Sequence, residues 1–319
     1  MSTIARRAPG SLADALLLLV ERGTMPVAAA IDLAPLVDAG LERPAVLVDV
    51  RQLAELRGVV ETPTGDVRIG AAVTLAEIAR APLIHERFPL LASASAWPRD
   101  DAVRELATLG GTLGQRPRCP YFRSCTPCLK TGGTLCPAVD GENRTLAILE
   151  GGPCYVVHPA DVAVALVALD AVIELASARG VREIDAGDFF VRPTTRLDRE
   201  TVLADDELVL GVRLPAIAAG GMQRFTRRTG DDEFALVSLG ATRRVDGEGR
   251  LVLGGVSPRP YRVYTSVEEE ATSGGLDDET IEGLAERALL DVAPLSHNGF
   301  KVDLAAELLR EAIRELASS

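Results

Sequence analysis

Five cysteines, Cys119, Cys125, Cys128, Cys136 and Cys154, fall within one stretch of a 319-residue chain that has no others. From Cys119 to Cys154 it reads CPYFRSCTPCLKTGGTLCPAVDGENRTLAILEGGPC. Cysteines used as small apolar core residues would be scattered along the sequence. Soft thiolates gathered in a Gly- and Pro-rich loop are what a metal ion or an iron–sulfur centre requires. Disulfides belong to oxidising compartments, for which the N-terminus offers no support. Cys125 and Cys128 form a CxxC pair followed by Cys136, a spacing that zinc also uses. An iron–sulfur cluster would take four thiolates and leave one spare. The clustering argues for a metal centre over structural thiols, and spacing alone leaves both zinc and iron–sulfur open. Prolines after Cys119 and Cys136 stiffen the loop and remove N–H groups that would lack partners.

Two turns could hold a phosphate. Ala107-Thr108-Leu109-Gly110-Gly111 reads as the end of a helix, where consecutive glycines let a phosphate or flavin approach the main chain. Ala28–Asp32 lies between a strand and a helix, a good place for a pyrophosphate, but contains no glycine and reads first as a buried turn. Other polar residues have plainer readings. His158 belongs to a turn before a helix, and His297 to a surface loop. Asp100-Asp101 and Glu268-Glu269-Glu270 are solvated acidic runs, Arg227-Arg228 an exposed strand edge ahead of a cofactor or partner contact, and Trp97 a packing residue.

The elements that must position these groups follow from periodicity. Residues 12–22 form an amphipathic helix, capped by Ser11 with Asp14 and ended at Gly23. Arg6-Arg7 before LADALLLLV raises the question of a secretory or twin-arginine signal. The apolar run is short, carries Asp14 and stops at Glu21-Arg22 without a small-residue cleavage site, so it reads as the first helix of a cytoplasmic protein. Pro26–Gly40 gives strand, turn and helix. Ala45–Val50 is a strand, and Asp66–Ile84 a strand and helix. Ala92–Gly111 reads as helix and glycine turn, His158–Leu175 as helix and strand, Asp206–Pro215 as strand. Beyond a linker at Ala216–Gly221, runs from Met222, Phe234 and Arg250 alternate as antiparallel strands, with a hairpin turn at Val245–Arg250. Helices at about 278–291 and 303–317 finish the chain. The class is α+β, in two domains, 1–215 and 222–319, with the cysteine-rich insertion at 115–155 in the first.

A net charge of −12 without a compensating basic tract argues against nucleic acid and suits contact with a basic patch on another subunit. No apolar run approaches the ~20 residues that cross a bilayer. No acid–base or nucleophile constellation is evident.

The order of motifs resembles the FAD-binding medium subunit of molybdenum hydroxylases, the xanthine dehydrogenase and carbon monoxide dehydrogenase family. VDVRQLAELRGV, VRIGAAVTLAEIA, ATLGG, HPADVAVALVALDA, LVLGGVSPRPYR and PLSHNGFKVDL carry the likeness over nearly the whole chain. CLKTGGTLC and the following Cys154 are similar to the β subunit of 4-hydroxybenzoyl-CoA reductase and to the flavin subunit of a periplasmic aldehyde oxidoreductase group. The resemblance implies a two-part FAD-binding domain of the PCMH/VAO-like type, then a C-terminal antiparallel sheet with helices. It implies a 4Fe–4S cluster on Cys119, Cys128, Cys136 and Cys154, with Cys125 the extra thiol or, by its CxxC spacing, a substitute for Cys119. It also implies FAD. The family's first pyrophosphate loop, Ala-Gly-Gly-Thr-Asp-Leu, corresponds to Ala28, Ala29, Ala30, Ile31, Asp32 and Leu33, so both glycines have become alanine. The second, Thr-Leu-Gly-Gly-Asn, corresponds to Thr108, Leu109, Gly110, Gly111 and Thr112. Asp161 and Leu210 match further flavin positions.

By the same resemblance, partners would be a molybdenum-cofactor large subunit and a 2Fe–2S small subunit, with an external electron carrier. This chain would pass electrons between them. The alanine-rich loop motivates a second reading, a flavin-free adaptor subunit that keeps only the cluster. A third reading is a stand-alone flavin oxidoreductase.

Overall fold

Short β-branched runs near the N-terminus pair into a three-stranded parallel sheet. In the computed structural model, which describes residues 4–97, 100–230 and 234–318, strands Ala5–Arg7 and Thr24–Val27 flank Val46–Asp49. Parallel pairing requires crossovers. Helices Leu12–Leu19 and Leu33–Asp38 supply them, and Ser11 caps the first by accepting the Asp14 N–H at 3.2 Å.

A five-stranded antiparallel sheet follows, in the order Val59–Glu61, Val67–Gly70, Leu208–Leu214, Val172–Ser177, Gly180–Asp185. Its central strand, Leu208–Leu214, is last in sequence, so the cysteine-bearing segment leaves the sheet and returns before the sheet closes. Helix Asp161–Ala168 is buried at every position after Asp161. A helix apolar all round needs cover on all sides. It receives this from the first core and from the last sheet, where Thr242 Oγ1 donates to the Ala168 carbonyl at 3.0 Å and Gly240 leaves room for Ala168 and Val164.

That last sheet is antiparallel, in the order Tyr261–Arg262, Gly249–Gly254, Ala235–Arg243, Met222–Thr229. Helices Thr265–Ala271, Asp278–Ala288 and Phe300–Ser318 bury Leu284, Leu308, Leu309, Ile313 and Leu316 in one cluster with Val237, Leu251 and Leu253. The α+β class and the C-terminal antiparallel sheet therefore stand as read from sequence.

Four readings do not stand. The acidic run at 268–270 is not wholly solvated: Glu268 is buried, accepts the Leu251 N–H at 2.9 Å and pairs with Arg262 at 2.6 Å. Arg227 is no exposed edge residue, although its strand is an edge. It lies 4.0 Å over the Trp97 ring and pairs with Asp161 at 3.2 Å. Ala92–Gly111 is not one helix, since Pro89–Ser95, Asp101–Leu106 and Leu109–Leu113 are separate helices; this stretch also crosses 98–99, which lie outside the described residues. Gly110 and Gly111 begin the last of these helices and do not follow one, because Thr108 caps it.

The cysteine-bearing segment is tied to the C-terminal part by three fully buried polar side chains. Asn143 donates to the Ala138 and Gly141 carbonyls and accepts the His297 N–H at 2.9 Å. Asn298 donates to the Leu146 and Ala147 carbonyls and accepts the Leu295 N–H at 2.7 Å. Lys301 donates to the carbonyls of Thr145, Leu146 and Gly255. Burial pushes its ammonium down to about 7. Removing such a side chain strands buried donors and acceptors, each costing about 1–3 kcal/mol. Asn298→Ala is therefore expected to lower unfolding stability by about 2–4 kcal/mol in urea titration, from two or more such groups; a change below 0.5 kcal/mol contradicts the stitching role.

Candidate cofactor site

The cysteine loop folds on its own apolar nucleus, formed by Leu36, Phe122, Ala138, Leu146 and Val156 with Cys119 and Cys154. Cys119 opens the single helical turn Pro120–Arg123. Thr131 fixes the next bend, accepting the Cys128 N–H at 2.9 Å and donating to the Thr126 carbonyl at 2.8 Å. Gly133 closes that bend: its N–H donates to the Cys128 carbonyl, and a Cβ on it would stand 2.7 Å from the Cys128 nitrogen.

Of the four thiols assigned by resemblance, Cys119 interacts electrostatically with Cys136 and Cys128, and Cys136 with Cys154; Cys125 lies apart. Cys125 is exposed and donates its thiol to the Ala39 carbonyl at 3.3 Å. Burial pushes the Cys119 thiol up; the backbone N–H groups of Phe122 and Tyr121 oppose that, and Cys136 and Cys128 add repulsion. The Cys154 thiol donates to Cys136, which brings Cys136 down to about 6, with the Ala138 and Tyr155 N–H groups assisting. Cys154 is correspondingly pushed up by that hydrogen bond and by burial, against the pull of the Lys130 cation. Backbone N–H groups directed at sulfur favour thiolates, as metal ligation by sulfur requires. Among the described residues no group of three or more His, Cys, Asp or Glu side chains is arranged to hold a metal ion. The chemistry of the donors, thiols in pairwise contact with amides facing Cys119, Cys136 and Cys154, suits thiolate ligation.

A buried charge network holds the loop from beneath. Lys130 Nζ donates to Glu200 and to the Leu197 carbonyl, each at 2.7 Å. The Lys130 and Glu200 side chains are only 2% and 6% exposed. Arg116 reaches Glu200 at 2.8 Å and Glu42 at 2.5 Å, with its guanidinium 5.1 Å over the Phe122 ring. Sequence reading passed over all four charges; three arginines at 116, 118 and 123 around a cysteine, in an acidic chain, were the available signal.

Asp32 connects this loop to the flavin positions. Its carboxylate accepts the Arg116 N–H at 2.8 Å and pairs with Arg123 at 2.7 Å and Arg118 at 3.3 Å. Ala29, Ala30, Ile31 and Leu33 form the half-buried turn beside it, and Ala30 takes φ 58, a left-handed conformation at the place of a family glycine. The turn therefore keeps a glycine-like backbone without the glycine. At the second loop Thr108 Oγ1 accepts the Gly111 N–H, while the Gly110 N–H donates to the Ala71 carbonyl at 2.8 Å. Gly110 packs so closely on Ala71 that a Cβ would stand 3.0 Å from its methyl. The Ala71 N–H donates in turn to the Leu210 carbonyl at 3.1 Å, which joins Leu210 to this loop. Gln115 accepts from Arg118 at 3.3 Å and donates to the Thr112 carbonyl at 2.9 Å, so Arg118 and Gln115 bridge the two loops.

Asp161 lies further along, in a small pocket also lined by Arg118, Cys119, His158, Phe234 and Ser238. Burial pushes the Asp161 carboxyl up to about 6, opposed by Arg227 and Ser238. The His158 imidazole is driven down to about 4 by burial, against the Leu113 backbone, so the ring is neutral. Its Nδ1 accepts the Ala160 N–H at 3.4 Å, which leaves the proton on Nε2; that atom is out of solvent and faces the Leu113 backbone without a well-formed hydrogen bond to it. Flavin fits these residues on that count, since the buried, unpartnered Arg118 Nε and the positive-φ turn both suit an acceptor-rich ligand.

Comparison with known proteins settles the relationship. Residues 4–217 match the family described as FAD binding domain in molybdopterin dehydrogenase, and residues 222–316 the CO dehydrogenase flavoprotein C-terminal domain. The chain belongs to the FAD-binding medium subunits of the molybdenum hydroxylases, the CO and xanthine dehydrogenase family. It is 33% identical to the FAD-binding subunit of aldehyde oxidoreductase from Escherichia coli K12, over 92% of this chain and 91% of that one. Identity to the nicotine 6-hydroxylase medium subunit of Paenarthrobacter nicotinovorans is 27%, over 99% and 98%. In fold this medium subunit is similar to quinoline 2-oxidoreductase from Pseudomonas putida 86, with a TM-score of 0.75 at 22% identity over 99% of this chain and 97% of that one. It is thus a subunit of an oxidoreductase, with the family's FAD-binding domain. Among the described residues, no helix of the medium subunit is long and apolar enough to cross a membrane.

Two stability predictions follow from these contacts. Ala30→Gly relieves a left-handed alanine and is expected to raise stability by about 0.5–1 kcal/mol, while Ala29→Gly, at ordinary φ, lowers it by a similar ~0.5–1 kcal/mol; equal signs for the two refute the strain. Glu200→Ala leaves Lys130 and Arg116 short of a buried counter-charge and is expected to cost about 3–5 kcal/mol in urea titration. A cost near that of a surface pair, below about 1 kcal/mol, removes the network as the loop's support.

Proposed function

We propose that this medium subunit carries electrons between a flavin and an iron–sulfur centre of its own, within a complex that also holds a molybdenum-cofactor large subunit and a 2Fe–2S small subunit. The observation that carries this reading is the double placement of Cys119. It lines the pocket that contains His158 and Asp161, and its sulfur is also within electrostatic reach of Cys128 and Cys136.

Cys119, Cys128, Cys136 and Cys154 are proposed to ligate a 4Fe–4S cluster, with Cys125 outside the set. FAD is proposed to lie along Ala29–Leu33, Thr108, Gly110–Thr112, Asp161 and Leu210. When bound, the flavin supplies exchange between two-electron and one-electron carriers. The chain's own residues bind and tune. Lys130 places a cation beside Cys154, and backbone amides face Cys119, Cys136 and Cys154, all of which favour added negative charge on the sulfurs. Thr108 and Gly110 hold the second loop rigidly on Ala71. The proposed domain limits, 1–215 and 222–319, put both cofactors in the first part, with the pocket closed by Phe234 and Ser238 from the second.

Metal, acid-labile sulfide and flavin analysis of the purified, anaerobically handled complex tests this reading. Iron and sulfide in equal amounts beyond the small subunit's share, together with FAD, are expected. Zinc in place of iron contradicts the cluster. Iron without any flavin supports the adaptor reading, for which Ala29 and Ala30 are the motive.

A further inference from the structure

Arg118 stands where the two flavin loops and the pocket meet, and its bonds are incomplete. One guanidinium nitrogen pairs with Asp32 at 3.3 Å and another donates to Gln115 at 3.3 Å, while Nε is shut off from solvent without a partner. The guanidinium lies 5.0 Å over the Phe234 ring, and both side chains line the pocket. On the same pocket wall the neutral His158 directs its Nε2–H at the Leu113 backbone without a well-formed hydrogen bond to it. A buried donor without an acceptor is costly, so the Arg118 Nε marks a place where an acceptor binds.

Charge agrees with this. Arg116, Arg118, Arg123, Lys130 and Arg199 face only Asp32, Glu42 and Glu200 in the linked ion pairs, five cations against three carboxylates. The chain as a whole carries −12, so this local surplus runs against the bulk. Lys130 is spent on the Cys154 side. Arg123 is spent on position, since it donates to the carbonyls of Pro117 and Arg116 as well as to Asp32. Arg118 is the cation left facing the pocket. The first loop, meanwhile, has lost the glycines that would let a phosphate approach the main chain.

We propose that Arg118, delivered by the cysteine loop and positioned by Asp32, is a direct ligand of the flavin dinucleotide's diphosphate and replaces the missing glycines of the first loop. This rests on the flavin reading above. It makes FAD affinity depend on the cysteine loop, so that a chain whose loop is disordered by loss of its metal also loses its hold on the dinucleotide.

The test compares FAD with riboflavin, which lacks the phosphates, on the complex stripped of flavin. Binding is followed by flavin fluorescence in wild type, Arg118→Gln and Arg118→Lys. Arg118→Gln is expected to weaken FAD tenfold or more and leave riboflavin within about twofold. Arg118→Lys, which keeps the charge, should recover most of the FAD affinity, showing that the position folds normally. An Arg118→Gln complex that binds FAD within twofold of wild type overturns the inference. So does an equal loss of FAD and riboflavin in both variants, which marks a structural role. A wild-type complex that takes up neither flavin removes the flavin reading itself and this inference with it.

Discussion

A long irregular segment can be buried only if its backbone and its charges find partners inside the protein, and the placing of the cysteines depends on meeting that demand. Between 115 and 155 the chain makes one helical turn and no strand. Asn143, Asn298 and Lys301 satisfy its carbonyls from one side, and the ion pairs of Lys130, Arg116, Glu200 and Glu42 support it from the other. Between these supports Cys119 comes within electrostatic reach of Cys128 and Cys136, and Cys154 bonds Cys136, whereas Cys125 is drawn off to Ala39. The C-terminal part is therefore more than a cover: through Asn298 and Lys301 it anchors the backbone at 145–147, between Cys136 and Cys154.

The same loop shapes the flavin side. Asp32, a first-loop position, binds two arginines and one amide of the cysteine loop, so the turn before helix Leu33–Asp38 and the approach to Cys119 form one unit. Loss of glycine at Ala29 and Ala30 is tolerated because the turn leans on these ion pairs and keeps its left-handed residue at Ala30. Two sites that look separate along the sequence thus share residues in space, and Cys119 beside Arg118 is the seam.

Much of this was legible in the residues. Clustered cysteines, Ser11 as a cap, the buried run Val162–Ala168 and the alternating strands from Met222 onward all follow local rules of period and capping. What escaped reading depended on distant partners. Glu268 looked solvated because two further glutamates follow it, yet Leu251 and Arg262 claim it from other elements. Arg227 looked like an edge residue, and only the approach of Trp97 and Asp161 makes it a buried cation. Strand Ala5–Arg7 is three residues long and has no signal without Val46–Asp49 beside it. Lys130 and Glu200 lie seventy positions apart, and neither suggests the other.

The most direct measurement is low-temperature electron paramagnetic resonance of the reduced complex, comparing wild type with Cys136→Ser. Wild type should show a signal beyond those of the small subunit's centres, and Cys136→Ser should lose or reshape that signal alone while the small subunit's signals remain. Identical spectra from the two proteins would mean that no paramagnetic centre is bound by these thiols.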